Sequence, residues 1–192
     1  MNLKTKIYGL LVIFCLFKVS AFSQEIQAVW ELSKNQLPET SGPVKATEQK
    51  LNNLKVSSYI STGAQRTLPD DLNWPGEKTV NKERFLEYSI TSESSSALKI
   101  QEIKLALSFN SSSAGMANIA WSVDGINFTI LDSDQKLISG SAPKEYEFDN
   151  LKIVVPKAKT FYLRVYPWTI NALNARYLVS KEVIIKGSTS KD

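Results

Sequence analysis

The chain of 192 residues contains no histidine and a single cysteine, Cys15. Without imidazole, Ser-His-Asp triads, histidine acid-base catalysis and nitrogen-ligated zinc are excluded. Cys15 lies inside the N-terminal apolar run Ile7–Phe17, ahead of the expected cleavage point. The mature chain therefore has neither thiol chemistry nor disulfides, and its fold must rest on burial. No apolar run approaches the roughly 20 residues that a membrane-spanning helix needs. After cleavage no run of Lys and Arg offers the basic stripe that phosphate binding requires, so nucleic acid is excluded as a partner.

What is present begins with an export signal. Lys4 and Lys6 precede the apolar run, and Val19-Ser20-Ala21-Phe22-Ser23 places small residues at cleavage-compatible spacing. This predicts a signal peptide over residues 1–23 and a secreted or periplasmic location. Ile13-Phe14 stand before Cys15 where a bacterial lipoprotein signal has small residues, so a lipid anchor is not expected. Cleavage removes Lys4, Lys6 and Lys18 and leaves 20 basic against 19 acidic residues. The remaining roughly 170 residues are enough to bury about 70% of their unfolded surface as one domain. That domain is expected over residues 24–187, with a polar tail at 188–192.

Short alternating runs separated by Ser, Asn, Gly and Pro clusters predict an all-β fold, an antiparallel β-sandwich of jelly-roll-like form. Trp30 and Leu32 belong to a first strand, Ser41-Gly42-Pro43 turns into Val44–Thr47, and Leu51–Ile60 reads as another strand, with helix near Leu51 the weaker alternative. Residues 61–82, rich in turn formers, read as a long loop. Leu86, Tyr88 and Ile90 share one face of the next strand. Leu98 and Ile100 keep one parity while Ile103, Leu105, Leu107 and Phe109 take the other, which predicts a β-bulge near Gln101-Glu102. Ala117, Ile119, Trp121 and Val123 alternate up to Asp124-Gly125, a hairpin signal before Phe128 and Ile130. Later strands are expected around Tyr146–Phe148, Leu151–Val155, Phe161–Trp168, Tyr177–Val179 and Val183–Ile185, with a loop at Asn171–Ala175 and closure at Gly187.

The most distinctive stretch is Phe161-Tyr162-Leu163-Arg164-Val165-Tyr166-Pro167-Trp168. In an extended backbone Phe161, Leu163 and Val165 face the core, and Tyr162, Arg164, Tyr166 and Trp168 face the other way. Aromatic rings around a fixed cation suit stacking on a sugar while holding a carboxylate, as in a uronic acid polymer. The same residues would also serve as a second packing layer, with Arg164 paired to an acid on a neighbouring strand. Trp30 and Trp121 alternate with aliphatics and read as core. Trp74, in a Pro/Gly context, joins Trp168 as a ligand candidate, with Arg176 in support from a facing loop. Asp70, Asp71, Asp132, Asp134, Glu145 and Glu147 are the only candidates for a glycosidase-like carboxylate pair, and spacing selects no two of them. Asp132-Ser133-Asp134 could contribute oxygens to calcium but lacks the further acids and glycine of an EF-hand loop, so no metal site is assigned. No cofactor and no catalytic residue are expected.

Several of these residues also carry a family resemblance. They are Trp30 with Ser41-Gly42, Ser57–Gly63 followed by Arg66-Thr67-Leu68-Pro69, Trp74, Glu87-Tyr88, Gly115, Tyr162–Trp168, Tyr177 and Val183-Ile184-Ile185-Lys186-Gly187. Across nearly the whole mature chain the sequence resembles a secreted accessory module of Bacteroidetes polysaccharide-degrading proteins, especially one attached to pectate lyases. The resemblance implies a β-sandwich of carbohydrate-binding type for plant cell-wall polysaccharide, acidic pectin favoured. It also implies a polysaccharide lyase as associate. Members usually adjoin a lyase domain, whereas only Ser188–Asp192 follow Gly187 here. A protein-interaction or spacer role beside such a lyase or a surface complex is the alternative.

Overall fold

A computed structural model describes residues 23–94, 96–110 and 115–190. The expected signal peptide and Cys15 lie outside the described residues, apart from Ser23 at their edge. Within the described residues every regular element is a strand. These are β1 (Gln24–Glu31), β2 (Glu39–Ser41), β3 (Val44–Ala46), β4 (Lys50–Asn52), β5 (Leu54–Ile60), β6 (Ala64–Pro69), β7 (Asn73–Pro75) and β8 (Phe85–Ser92). They continue with β9 (Ala97–Phe109), β10 (Gly115–Ser122), β11 (Thr129–Lys136), β12 (Lys144–Phe148), β13 (Ile153–Val155), β14 (Thr160–Thr169), β15 (Ala172–Asn174) and β16 (Leu178–Ser190).

The strand ladders are antiparallel and form two main sheets. One runs β12-β9-β16-β1-β2, with β13 also on β9 and β6-β5 on the far end of β16. The other runs β11-β10-β14-β8, with β3 and β4 sharing the outer edge of β8. Eight strands trace a jelly roll, with β1-β16-β9-β12 packed against β8-β14-β10-β11. The segment between β1 and β8 inserts the six short strands β2–β7.

Alternation explains the packing. Ile26, Ala28 and Trp30 of β1, Ile103, Leu105 and Leu107 of β9, and Phe161, Leu163 and Val165 of β14 all enter one core cluster drawn from both sheets. Trp30 packs edge-on against Tyr88, ring centroids 5.2 Å apart, and its indole N–H donates to the Thr47 carbonyl at 2.9 Å. Gln49 donates to Tyr88 Oη at 2.7 Å and accepts from Gln65 at 2.9 Å, so these three buried polar side chains are linked to one another. Burial raises the Tyr88 phenol above its usual value. Trp121 is half-buried and stacks on Phe161 at the core's margin.

The bulge is where the parity change places it. Lys186 pairs with Glu102 and Gly187 with Ile100, leaving Gln101 as the extra residue on β9. At that point the strands approach so closely that a β-carbon on Gly187 would collide with the Lys99 carbonyl.

Four segments differ from the sequence-based expectation. Residues 61–82 are not one long loop, because β6 pairs with both β5 and β16 and β7 pairs with β15. The expected loop at 171–175 supplies that β15. The strand expected over Leu51–Ile60 breaks at Asn53, whose φ of 52° lets the chain cross from one sheet to the other. The last strand runs through Gly187 to Ser190, with Ser188 and Thr189 buried.

Candidate functional site

Strand β14 sits centrally in its sheet, between β10 and β8. Its outward residues therefore meet partners on both sides. Register aligns Arg164 with Glu87 on β8 and with Ala120 on β10, and Ala120 in turn with Ile130 on β11. One step along, Tyr166 lies beside Asn118, and beyond it Trp168 beside Met116.

Arg164 is committed internally. Its Nε donates to Glu87 Oε2 at 2.6 Å, with the two side chains only 17% and 10% exposed. The guanidinium lies 3.8 Å from the centre of the Phe85 ring and 4.1 Å from that of Phe128, a cation between two π faces. Tyr166 packs edge-on against both rings, at 5.9 Å from Phe85 and 6.4 Å from Phe128. Burial raises its phenol above the usual value, and the neighbouring Arg164 acts in the opposite sense. Tyr166 therefore stays neutral and able to donate near neutral pH.

The expected open platform is thus largely covered. Tyr166 and Trp168 are 5% and 6% exposed, and the Trp168 indole N–H is occupied by Asn118 Oδ1 at 2.8 Å. Tyr162 is half-buried against the Asp124-Gly125 turn. That turn is fixed by the Asp124 carboxylate, which accepts from the backbone N–H groups of Ile126 and Asn127, both at 2.8 Å. The Asn127 side-chain amide, together with these backbone bonds, holds the Asp124 carboxyl well below the usual carboxylate range.

Trp74 is corrected outright: the β7-β15 ribbon carries its ring wholly into the core. It packs edge-on against Phe109 at 5.3 Å and donates to the Arg176 carbonyl at 2.9 Å. A ring with no exposed face offers nothing to a sugar. Arg176 has an exposed side chain, but it anchors Trp74 through its backbone and does not line the groove that surrounds Arg164 and Tyr166.

That groove, of about 250 Å³, opens on the outer face of the sheet. Phe128, Tyr166, Ala120 and Asn118 form its inner lining, while Val80, Lys82 and Glu83 come from the segment before β8. Ile126 and Ile130 stand on the opposite side, 81% and 53% exposed. The groove offers one half-buried phenyl ring, a phenol, a carboxamide and, at the mouth, the exposed Lys82 and Glu83. Lys82 has no ion pair among the described residues. Of the carboxylates considered for catalysis, Asp134 on β11 meets the groove only from behind, accepting from the Asn118 side-chain amide at 3.4 Å. Asp132 on β11, Glu145 and Glu147 on β12, and Asp70 and Asp71 at the end of β6 do not line it. Among the described residues no group of three or more acids is placed to hold a metal ion.

Phe85, Glu87 and Phe128 are the residues that periodicity did not single out for this site. Glu87 lies 77 positions from Arg164, and only the strand register brings them together. Phe128 carried the one local signal, an aromatic just past a hairpin turn.

No family model matches the chain, and no curated protein matches its sequence. Among solved structures it is similar to the CBM32-1 domain of a family 31 glycoside hydrolase from Clostridium perfringens, at 14% identity and TM-score 0.37 over 77% of this chain and 94% of that one. It is also similar to a family two carbohydrate esterase from Cellvibrio japonicus, at 6% identity and TM-score 0.36 over 88% of this chain and 36% of that one. A third similarity is to the CBM22-1 xylan-binding domain from Paenibacillus barcinonensis, at 9% identity and TM-score 0.33 over 86% of this chain and 94% of that one.

Proposed function

We propose that the chain binds a glycan without transforming it, in the groove lined by Phe128, Tyr166 and Asn118. The observation that carries this reading is the meeting of a half-buried ring with a neutral phenol and an unpaired ammonium in one open groove. The ring can cover one pyranose face, and the polar groups can take its hydroxyls. An open groove leaves much of the sugar hydrated, so affinity is modest.

In this reading the preferred glycan is an acidic plant cell-wall polymer of the polygalacturonate type. The cation that meets its carboxylates is Lys82, because Arg164 is already neutralised by Glu87. Export by the N-terminal signal and a place beside a polysaccharide lyase complete the proposal.

Affinity electrophoresis of the purified chain in native gels containing polygalacturonate, xylan or glucan tests it. Retardation is expected, strongest in polygalacturonate, weakened by Lys82→Glu and abolished by Ile126→Asp at the groove mouth. Unretarded migration in every gel overturns it. A second reading, a protein-interaction module, is favoured by the exposure of Ile126 and Ile130, aliphatic groups that suit an apolar partner better than a sugar. It predicts no retardation, together with a protein partner whose capture Ile126→Asp abolishes.

A further inference from the structure

The opposite sheet carries a larger hollow, a cleft of about 630 Å³ over β1, β16 and β9. We propose that it is a second binding site, for a neutral oligosaccharide held by hydrogen bonds rather than by stacking.

The cleft follows from irregularities already described. The bulge at Gln101 interrupts β9, and between β12 and β13, both paired to β9, the chain lifts away as residues 149–152. Asn150 turns this lifted segment with a φ of 53°, and the Leu151 N–H anchors it to the Gln101 carbonyl at 3.0 Å. The opposite wall is β2, laid along β1 so that Ser41 stands beside Gln27.

Its lining is the chemical opposite of the Phe128 groove. No aromatic residue contributes to it. On the floor Gln27 aligns with Lys186, and Lys186 with Glu102. Lys186 and Glu102 are paired at 2.8 Å, and Lys186 and Lys104 hold the Glu102 carboxyl below the usual range. By contrast, the side chains of Gln27, Ser41, Gln101 and Asn150 make no hydrogen bond to protein among the described residues. Carboxamides and a hydroxyl both donate and accept, which is what a hydroxyl-rich chain also does. Ile26 and Leu151 are the only aliphatic residues that line it, so an apolar occupant would find little to cover. The charged groups at the cleft are Glu25, Glu102 and Asp149 against Lys152 and Lys186. This one-charge acidic excess disfavours a polyuronate, so the two sites differ in ligand charge as well as in mode of contact.

The proposal extends the glycan-binding reading to another face without depending on the Phe128 groove. Backbone amide shifts of the purified chain, mapped by NMR while xylohexaose, cellohexaose or hexagalacturonate is added, test both sites at once. With a neutral hexasaccharide the amides of Gln27, Glu102, Asn150 and Gly187 are expected to shift, and to shift equally in Ile126→Asp. Gln27→Ala and Asn150→Gly should each weaken that binding about five-fold or more. Shifts confined to Ala120 and Phe128 overturn the cleft and leave the groove standing. Shifts confined to the cleft support it and remove the groove. Tighter binding of hexagalacturonate than of the neutral sugars at the cleft amides also overturns the proposal.

Discussion

The outer faces of the two sheets solve the same problem in opposite ways. On the β14 face one cation is sunk between Phe85 and Phe128 and cancelled by one carboxylate, and rings fill the space around it. On the β9-β16 face Lys104, Lys186, Glu102 and Glu147 form an exposed ladder at 2.8–3.5 Å, with side chains 24–49% exposed. A desolvated pair leaves a large penalty if one member is removed, whereas a hydrated ladder tolerates loss. Exposed charge alone is therefore a poor guide to function here. Arg164, the cation with the most distinctive company in the sequence, is held by its own protein.

Five variants break or sharpen that contrast. The largest effect is expected from Trp74→Ala, because the ring is core: about 3–5 kcal/mol of stability is lost in urea unfolding. Glu87→Ala should cost about 3 kcal/mol, since it strands the Arg164 charge between two rings. Replacing both members, as Glu87→Leu with Arg164→Leu, should recover most of that loss, and an additive result would contradict the pairing account. Phe128→Ala exposes one side of the cage and should cost about 1–2 kcal/mol while removing glycan retention. Glu102→Gln on the other face should stay within about 1 kcal/mol.

The smallest effect concerns pH. The folded-state value of Glu102 is depressed by Lys186 and Lys104, so its contribution is present above the unfolded carboxyl value. That contribution is lost as pH falls below about 4. Acid unfolding of Glu102→Gln should accordingly be flatter than that of the parent chain, and identical profiles would remove Glu102 from the ladder's stabilising groups.

Local patterns made much of the fold legible. The odd-numbered residues of β14 are core because alternation is a property of the strand itself, and the Gln101 bulge was readable as a change of parity. The site was less legible because its decisive facts are pairings. Nothing near Arg164 announces Glu87, and nothing around Trp74 announces a partner strand at Ala172–Asn174, about a hundred residues on. Turn-forming residues at 61–82 signalled a loop, yet β6 is held there by its neighbours rather than by its own propensity. The even-numbered residues of β14 alternate outward as read, but the rings of Phe85 and Phe128 cover much of what they present.

Glycan binding in the Phe128 groove is the central claim, and affinity electrophoresis in polygalacturonate with Ile126→Asp run beside the parent chain tests it most directly. The account predicts retardation of the parent and free migration of the variant, with both chains equally stable to urea. Equal migration of the two, retarded or not, would contradict it.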